Sequence, residues 1–561
     1  MIGRILRKIN QYRTAFIILF LAGMGILYAL PSFLMDGIPH FIHEDTWFHL
    51  SRLVGLRNVW SSPVSFLNFA QNGPMVNIFY PWLTMYPMYL FYLLTGSYVL
   101  AYKAFYLVLT LFTLAAAFSV MRHISGDDTA SLIFAVLYTF SAYRFVNLFR
   151  RAHLGEAICM TALLFVLCGL YDIAFKDRKR WGPLAAGMAM IAYSHNIALL
   201  IASLVTGLFV LISFGKWDQK KERFLSLCKA AGTAVLFSLG SFVSILYYTR
   251  TNELYTPGGS GQGLEDSAFS LREIILRSLQ NEPVSYAAGF WVIIAVIGLA
   301  VFYIGRISGY HWESDHGMDR FAMLGILLFF AASSLLPWKW LGDHTPLYLI
   351  QFVWRLNAHS TIFILAAFSL YLPKILLAKK AKTTALILMT VLAIGLHFSA
   401  VLKLRGEENT RIFEADIISG NAVTFDYGPL QAKQYRNEHG YQMDDVLIEG
   451  QPVAAETAIS EDGSALTITF GVPSMDEVKA EADVPAFRYA QQMCTVNGIP
   501  VSTSMSARGA SLVPVRPGER NEVRFTYQHV PLTYCSWAVS AVSLMIFVFS
   551  RRRKTIRDPK K

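Results

Sequence analysis

Charge is scarce in this chain. Only 16% of its 561 residues are Asp, Glu, Lys or Arg, against the roughly 25% usual for soluble domains. That shortage, beside a 54% hydrophobic share, excludes an ordinary soluble enzyme. Cysteine is scarce too. There are five, with no CxxC pair and no spacing that reads as a disulfide framework or a zinc site. Cys159, Cys168 and Cys228 fall in or beside apolar runs and read as small core residues. No internal repeat and no low-complexity tract occurs. The glycine-rich stretch Thr256 to Gly263 lacks the strand-to-helix context of a phosphate-cradling loop, so it reads as a flexible segment or a lid.

Long apolar runs are abundant. About twelve stretches reach the length needed to cross a bilayer, near 14–34, 98–121, 129–146, 153–175, 181–194, 197–214, 227–249, 286–306, 320–336, 353–374, 383–402 and 533–550. The stretch 79–95 is also apolar, but Pro81 and Pro87 interrupt it, and it reads as an interfacial or re-entrant helix pair. The first run has no small-residue cleavage site after it and reads as a retained anchor. The net charge of +11 is unevenly placed. Residues 403–530 hold about 18 acids against about 11 bases, so the positive excess belongs to the membrane part. Its placement follows the positive-inside rule and does not suggest nucleic acid. Arg4, Arg7, Lys8 and Arg13, the loops 176–180, 216–223 and 379–382, and the tail Arg551 to Lys554 all fall inside if 79–95 does not span. Both termini are therefore expected in the cytoplasm.

Residues 403–530 change character. Ala465 to Phe470 and Glu522 to Tyr527 alternate with period two, and Asn497-Gly498 and Pro517-Gly518 mark turns. The expected fold is a polytopic α-helical membrane protein with an extracytoplasmic β-sandwich-like domain before the last span. Its divisions are a membrane domain over 1–402 with a first outer loop at 35–95, a β-rich domain over 403–530, and a last span with basic tail over 531–561.

The densest chemistry is His43-Glu44-Asp45-Thr46-Trp47-Phe48-His49-Leu50-Ser51-Arg52. Ionisable groups near lipid are costly and commonly functional. Asp45, His49 and Arg52 share a face if 45–59 is an amphipathic helix. Three further polar sets are expected on the outer face: Arg150 to Glu156, Ser194-His195-Asn196, and Trp338 to Asn357 with Arg355. Arginines on that face run against the positive-inside bias. An anionic lipid or a substrate phosphate would account for them, as would snorkelling to headgroups. A carboxylate in the first outer loop suits glycosyl transfer from a polyprenyl-phosphate carrier, in which the acceptor hydroxyl needs a base and the donor phosphate needs cations.

Several segments together resemble the GT-C superfamily of integral-membrane glycosyltransferases. They are Glu44 to Arg52, Phe79-Tyr80-Pro81-Trp82, Arg151-Ala152-His153-Leu154-Gly155-Glu156, Ser194-His195-Asn196 and Gln351 to Arg355. More closely, they resemble bacterial multi-pass proteins labelled 6-pyruvoyl-tetrahydropterin synthase-related. The tail is similar to the outer β-domain of bacterial membrane proteins implicated in teichoic-acid glycosylation. The resemblance implies a polyprenyl-phosphate-linked sugar donor, a cell-envelope glycan or teichoic-acid-type acceptor, Asp45 as catalytic carboxylate with Glu44 second, and His49, Arg52, Arg151, Glu156, His195 and Arg355 toward substrate. Some GT-C members hold a divalent cation through an acid-x-acid pattern. Here the acids are adjacent, with His43 and His49 near, so a divalent cation stays an open question. Two other functions share these features. One is a transporter or flippase of lipid-linked sugars, which should carry ionisable groups at mid-membrane. The other is a non-catalytic envelope-assembly factor acting through the β-domain.

Overall fold

A computed structural model describes residues 2–41, 44–256, 263–407, 410–418, 423–474 and 480–557. His43 and the glycine-rich residues 257–262 lie outside them. The chain divides into two compact units, each assembled from three segments.

The first unit comprises Met1–Thr46, Val99–Ala234 and Gly259–Ile412. Across the whole chain, nine helices among the described residues are long and apolar enough to cross a membrane. A tenth candidate is the broken pair Asp128–Thr139 and Ala142–Arg150, bent by 45°. Nine or ten of the twelve expected spans thus fall on helices of spanning length among the described residues. The remaining two are helices too short to qualify: Gly182–Ala192 has 11 residues and His316–Ala331 has 16. At 1.5 Å per residue neither reaches across about 30 Å of hydrocarbon. The helix expected from 286 begins at Phe290, after Gly289 at φ +94°.

Close packing here depends on absent side chains. A Cβ on Gly169, in the helix Leu154–Phe175, would lie 2.3 Å from the backbone nitrogen of Leu184. That helix and Gly182–Ala192 approach each other almost backbone to backbone, as small residues allow between apolar helices. A short antiparallel pair, Ile38–His40 with Thr410–Ile412, ties down the chain leading to Glu44. Phe41 then buries against Phe145, Val146, Val401 and Leu404.

The second unit comprises Trp47–Tyr98, Val235–Gly258 and Phe413–Lys561. Its centre is two five-stranded sheets. One runs Ser504–Met505, Ala510–Val515, Ala480–Phe487, Val446–Ile448, Gln451–Val453. The other runs Ala455–Ile459, Ala465–Gly471, Arg520–Thr526, Met493–Val496, Ile499–Val501. The two segments that alternate in sequence are antiparallel neighbours, with Ile468 opposite Val523. Their inward residues Leu466, Ile468, Phe470, Val523 and Phe525 bury in the common core, the arrangement period-two patterning specifies. Asn497 and Gly498 adopt φ of +50° and +79° in the hairpin turn. The β-rich boundary expected at 403 falls within a helix, because Lys379–Glu407 continues past it.

The same unit holds the short helices Val76–Phe79 and Tyr86–Thr95. Neither is long enough to span, and Pro87 occupies the first turn of the second, where its missing N–H costs nothing. Trp60, Trp82 and Trp537 pack together with centroids 4.6–5.9 Å apart at the start of the last apolar helix, Pro531–Arg557. Such a tryptophan cluster suits a membrane–water boundary.

Candidate functional site

In the first unit the residues after the 38–40 strand meet the break between two apolar helices. The backbone makes that meeting. The helix beginning at Ala142 loosens into a wide turn over Val146–Arg150, closed by the Arg151 N–H donating to the Val146 carbonyl five residues back at 2.8 Å. Such turns re-aim side chains and recur at functional sites. Ala152 follows at φ +53°, a left-handed conformation that costs a non-glycine residue of order 1–3 kcal/mol. His153 then caps the next helix, its Nδ1 accepting the Glu156 N–H at 3.2 Å. The Asp45 N–H donates to the Arg151 carbonyl at 3.0 Å and registers the two segments.

Three carboxylates and three guanidiniums converge. Arg150 Nη1 is 2.8 Å from Glu44 Oε1. Arg151 Nη1 is 2.9 Å from Glu156 Oε2, while its Nε lies 3.7 Å from Asp45 Oδ2. Arg355 Nε is 3.6 Å from the same Glu156 oxygen, and the Tyr143 hydroxyl donates to the other one. Glu156 thus holds two arginines in fixed positions, and both are buried. Arg355 also donates to the Ile350 carbonyl and to Gln351 Oε1, each at 3.0 Å. Gln351 itself sits at φ +62°.

Asp45 and Glu44 are adjacent but differently engaged. Glu44 accepts from Arg150 and from the Tyr286 hydroxyl at 3.0 Å. The contacts of Asp45 to Arg151 and to His153 Nε2, both 3.7 Å, are too long for hydrogen bonds. About a third of its side-chain surface, 36%, stays open, although protein surrounds it on the remaining sides. Burial pushes the Asp45 carboxyl above the usual aspartate range, Arg151 and Arg355 pull it down, and Glu156 adds to the rise. Glu44 is raised by burial as well, against the pull of Arg150 and the Tyr286 hydrogen bond. Since His153 Nδ1 is an acceptor, its neutral ring carries the proton on Nε2, on the side of Asp45.

Asp45 borders a cavity of about 580 Å³, within the range of small-molecule sites. Three rings stack along it: Tyr286 on Trp354 at 4.2 Å, and Trp354 on Phe352 at 4.9 Å, each pair within 14° of parallel. Arg151 lies over Trp354 at 4.7 Å and Arg355 over Phe352 at 5.1 Å. Asp266, Glu273 and Arg277 also line it. The short helix Leu271–Leu279 carries the last two and is closed by a capping box from Ser270 and Glu273.

The structure thus brings together Glu44, Asp45, Arg151, Glu156 and Arg355 of the residues singled out in the sequence. His195 caps the helix Asn196–Phe214 through Nδ1 to the Ala198 N–H at 3.0 Å, and its ring packs on His153 at 4.7 Å. His49 and Arg52 belong to the second unit. There the expected amphipathic helix is the shorter Thr46–Val54, with Asp45 one residue ahead of it. Arg52 is almost fully buried. It donates to Asn77 Oδ1 at 3.1 Å and to the Tyr80 and Pro81 carbonyls at 2.8 and 3.1 Å, and it meets His49 Nδ1 at 3.2 Å. Tyr143, Arg150, His153 and Tyr286 were not singled out as site residues. Arg150 and His153 at least flank Arg151 in a polar segment, whereas nothing in the sequence marks Tyr286, 242 residues from its partner Glu44.

The chain matches no protein-family profile, and no curated protein matches it. Among solved structures it is similar to the arabinofuranosyltransferase AftD from mycobacteria, at 15% identity and a TM-score of 0.42 over 69% of this chain and 27% of that one. It is also similar to ArnT from Cupriavidus metallidurans, whose structure was determined bound to undecaprenyl phosphate. That match has 12% identity and a TM-score of 0.42 over 72% of this chain and 74% of that one. The chain spans about a quarter of the length of AftD.

Proposed function

We propose that this protein is a GT-C-type membrane glycosyltransferase that moves a sugar from a polyprenyl-phosphate-linked donor to a hydroxyl of a cell-envelope glycan or teichoic-acid-type acceptor. The reading rests above all on Asp45, a carboxylate whose nearest charged partners among the described residues stand 3.7 Å away, facing a cavity walled by stacked aromatic rings and by Arg151, which Glu156 anchors. Asp45 takes the proton of the acceptor hydroxyl. The acceptor oxygen bonds the anomeric carbon as the bond from that carbon to the phosphate oxygen breaks, and the electron pair leaves on the lipid phosphate. A carboxylate whose affinity for protons is raised by burial is a stronger base for this step. Arg151 and Arg355 share one carboxylate, Glu156, and the Arg151 guanidinium, which lines the cavity, meets the phosphate. The stack of Phe352, Trp354 and Tyr286 offers flat apolar faces to a sugar ring. Glu44, held by Arg150 and Tyr286, acts as a positioning residue. In this reading the site faces the outer side, where lipid-linked donors are presented, and both termini are cytoplasmic.

The test is transfer by the purified protein in nanodiscs, supplied with defined polyprenyl-phosphate hexose and pentose donors and an envelope-glycan acceptor. Transfer by the native chain and a fall of about two to four orders of magnitude in Asp45→Asn, the usual scale for losing a general base, are expected. Full turnover by Asp45→Asn would remove the assignment.

A further inference from the structure

The second unit has a cavity of its own. It measures about 330 Å³, near the lower end of the range for small-molecule pockets, about 300–1,000 Å³. Its floor is apolar: Met443, Leu466 and Ile468, all buried. Its wall and rim are polar but not cationic. Asn72 is buried in the wall, Tyr441 is half-buried, and Gln71, Asp444 and Thr457 are exposed around the opening. The Tyr441 hydroxyl donates to Asn72 Oδ1 at 3.3 Å, which fixes both groups. Thr457 stands on an edge strand of one sheet, while Pro485 on the other side belongs to a strand of the second sheet.

One wall is built at a conformational cost. Phe69, Ala70 and Gln71 stand at φ of +50°, +53° and +63°, three successive non-glycine residues in the left-handed region, each costing of order 1–2 kcal/mol. The Asn72 carbonyl then accepts the Phe487 N–H at 2.9 Å and holds this turn against the sheet. Strain of this kind persists where the surroundings impose it, and ligand clamps are among the usual places.

We propose that this cavity is a binding site for one or two units of an uncharged sugar. The lining chemistry selects the class. The Gln71 carboxamide, the Asp444 carboxylate and the hydroxyls of Thr457 and Tyr441 supply both donors and acceptors for ring hydroxyls, and Tyr441 adds an aromatic face. No lysine or arginine lines the cavity among the described residues, and Asp444 opposes an anion, so a phosphate or phosphorylated glycan is disfavoured. The volume is too small for a lipid chain or a folded peptide segment. Such a site would hold a glycan independently of Asp45 chemistry, and binding to it does not depend on the reading of the first unit.

The test is saturation-transfer NMR on the full chain in nanodiscs, with cellobiose and N,N′-diacetylchitobiose as probes. Transfer of magnetisation to ring protons of at least one disaccharide is expected, unchanged in Asp45→Asn. It should vanish in Thr457→Trp, where an indole fills the mouth. The exposed changes Gln71→Ala and Asp444→Ala leave the floor intact, and each should weaken binding about tenfold, the scale of losing one hydrogen bond to a charged or well-placed polar group. Absence of transfer to both probes would overturn the proposal, as would signals that survive Thr457→Trp and both rim variants. Preferential binding of glycerol phosphate would overturn the uncharged class.

Discussion

Asp45 and Arg52 stand seven positions apart in one polar motif, yet the structure treats them oppositely. Arg52 is sealed in the second unit with its guanidinium spent on two carbonyls, a carboxamide and an imidazole, and the Tyr80 ring lies 4.2 Å from it. Asp45 has contacts no shorter than 3.7 Å to its charged neighbours and is open to a cavity. A charged side chain whose donors are all taken up by carbonyls and neighbouring polar side chains holds a fold together. A charged side chain with long contacts and an open face is available for chemistry. Burial pulls the Arg52 pKa down to about 10, so it still carries its charge at neutral pH and keeps all these bonds.

The contrast can be broken most forcefully at Arg151. Arg151→Ala leaves Glu156 buried with one fewer partner, and breaking such a pair costs about 3–5 kcal/mol. Chemical unfolding should register that loss together with loss of transfer. Arg151→Lys should recover much of the stability and little of the transfer, because a point charge does not replace the fork. Equal recovery of both would make Arg151 purely structural. Arg52→Ala should cost about 2–3 kcal/mol, the scale of hydrogen bonds to a charged group, read as a lower unfolding midpoint. A normal midpoint would contradict its role as a brace.

Gly289 probes the frame of the site. A Cβ there would stand 2.3 Å from the Ala142 Cβ, and its φ is +94°. Gly289→Ala should cost about 1–3 kcal/mol, as overpacking does, and lower transfer by shifting Tyr286, three residues before it. Wild-type stability would show that this approach is looser than the structure has it. The smallest effect is in pH. Since the Asp45 carboxyl is raised by burial and a base must be deprotonated, transfer should fall with decreasing pH through a midpoint above the ordinary aspartate value of about 3.9. An acid limb at or below that value would contradict the burial argument.

Much of this molecule was legible in its sequence where the pattern is local. The strands Ala465–Gly471 and Arg520–Thr526 follow from alternation, and the Asn497-Gly498 turn follows from its residues. Apolar length located most helices, whereas the extent of an element such as His316–Ala331, 16 residues long, was not legible because hydrophobicity alone does not set where a helix ends. Within the site, Glu44, Asp45, Arg151, Glu156 and Arg355 stood out as charges in apolar surroundings. Tyr286 did not, because a tyrosine in an apolar stretch has no periodic signature and its pairing with Glu44 is non-local. Neither the wide turn at Val146–Arg150 nor the left-handed Ala152 carries a glycine or proline to announce it. The assembly of each unit from three separate segments is likewise a property of tertiary packing alone.

The most direct test measures turnover and unfolding on the same preparation of Asp45→Asn. With its nearest charged partners among the described residues 3.7 Å away, the variant should unfold within about 0.5 kcal/mol of the native chain, as changes away from close contacts do, while transfer falls by about two to four orders of magnitude. Retained transfer, or a loss of transfer matched by a loss of stability, would contradict the account.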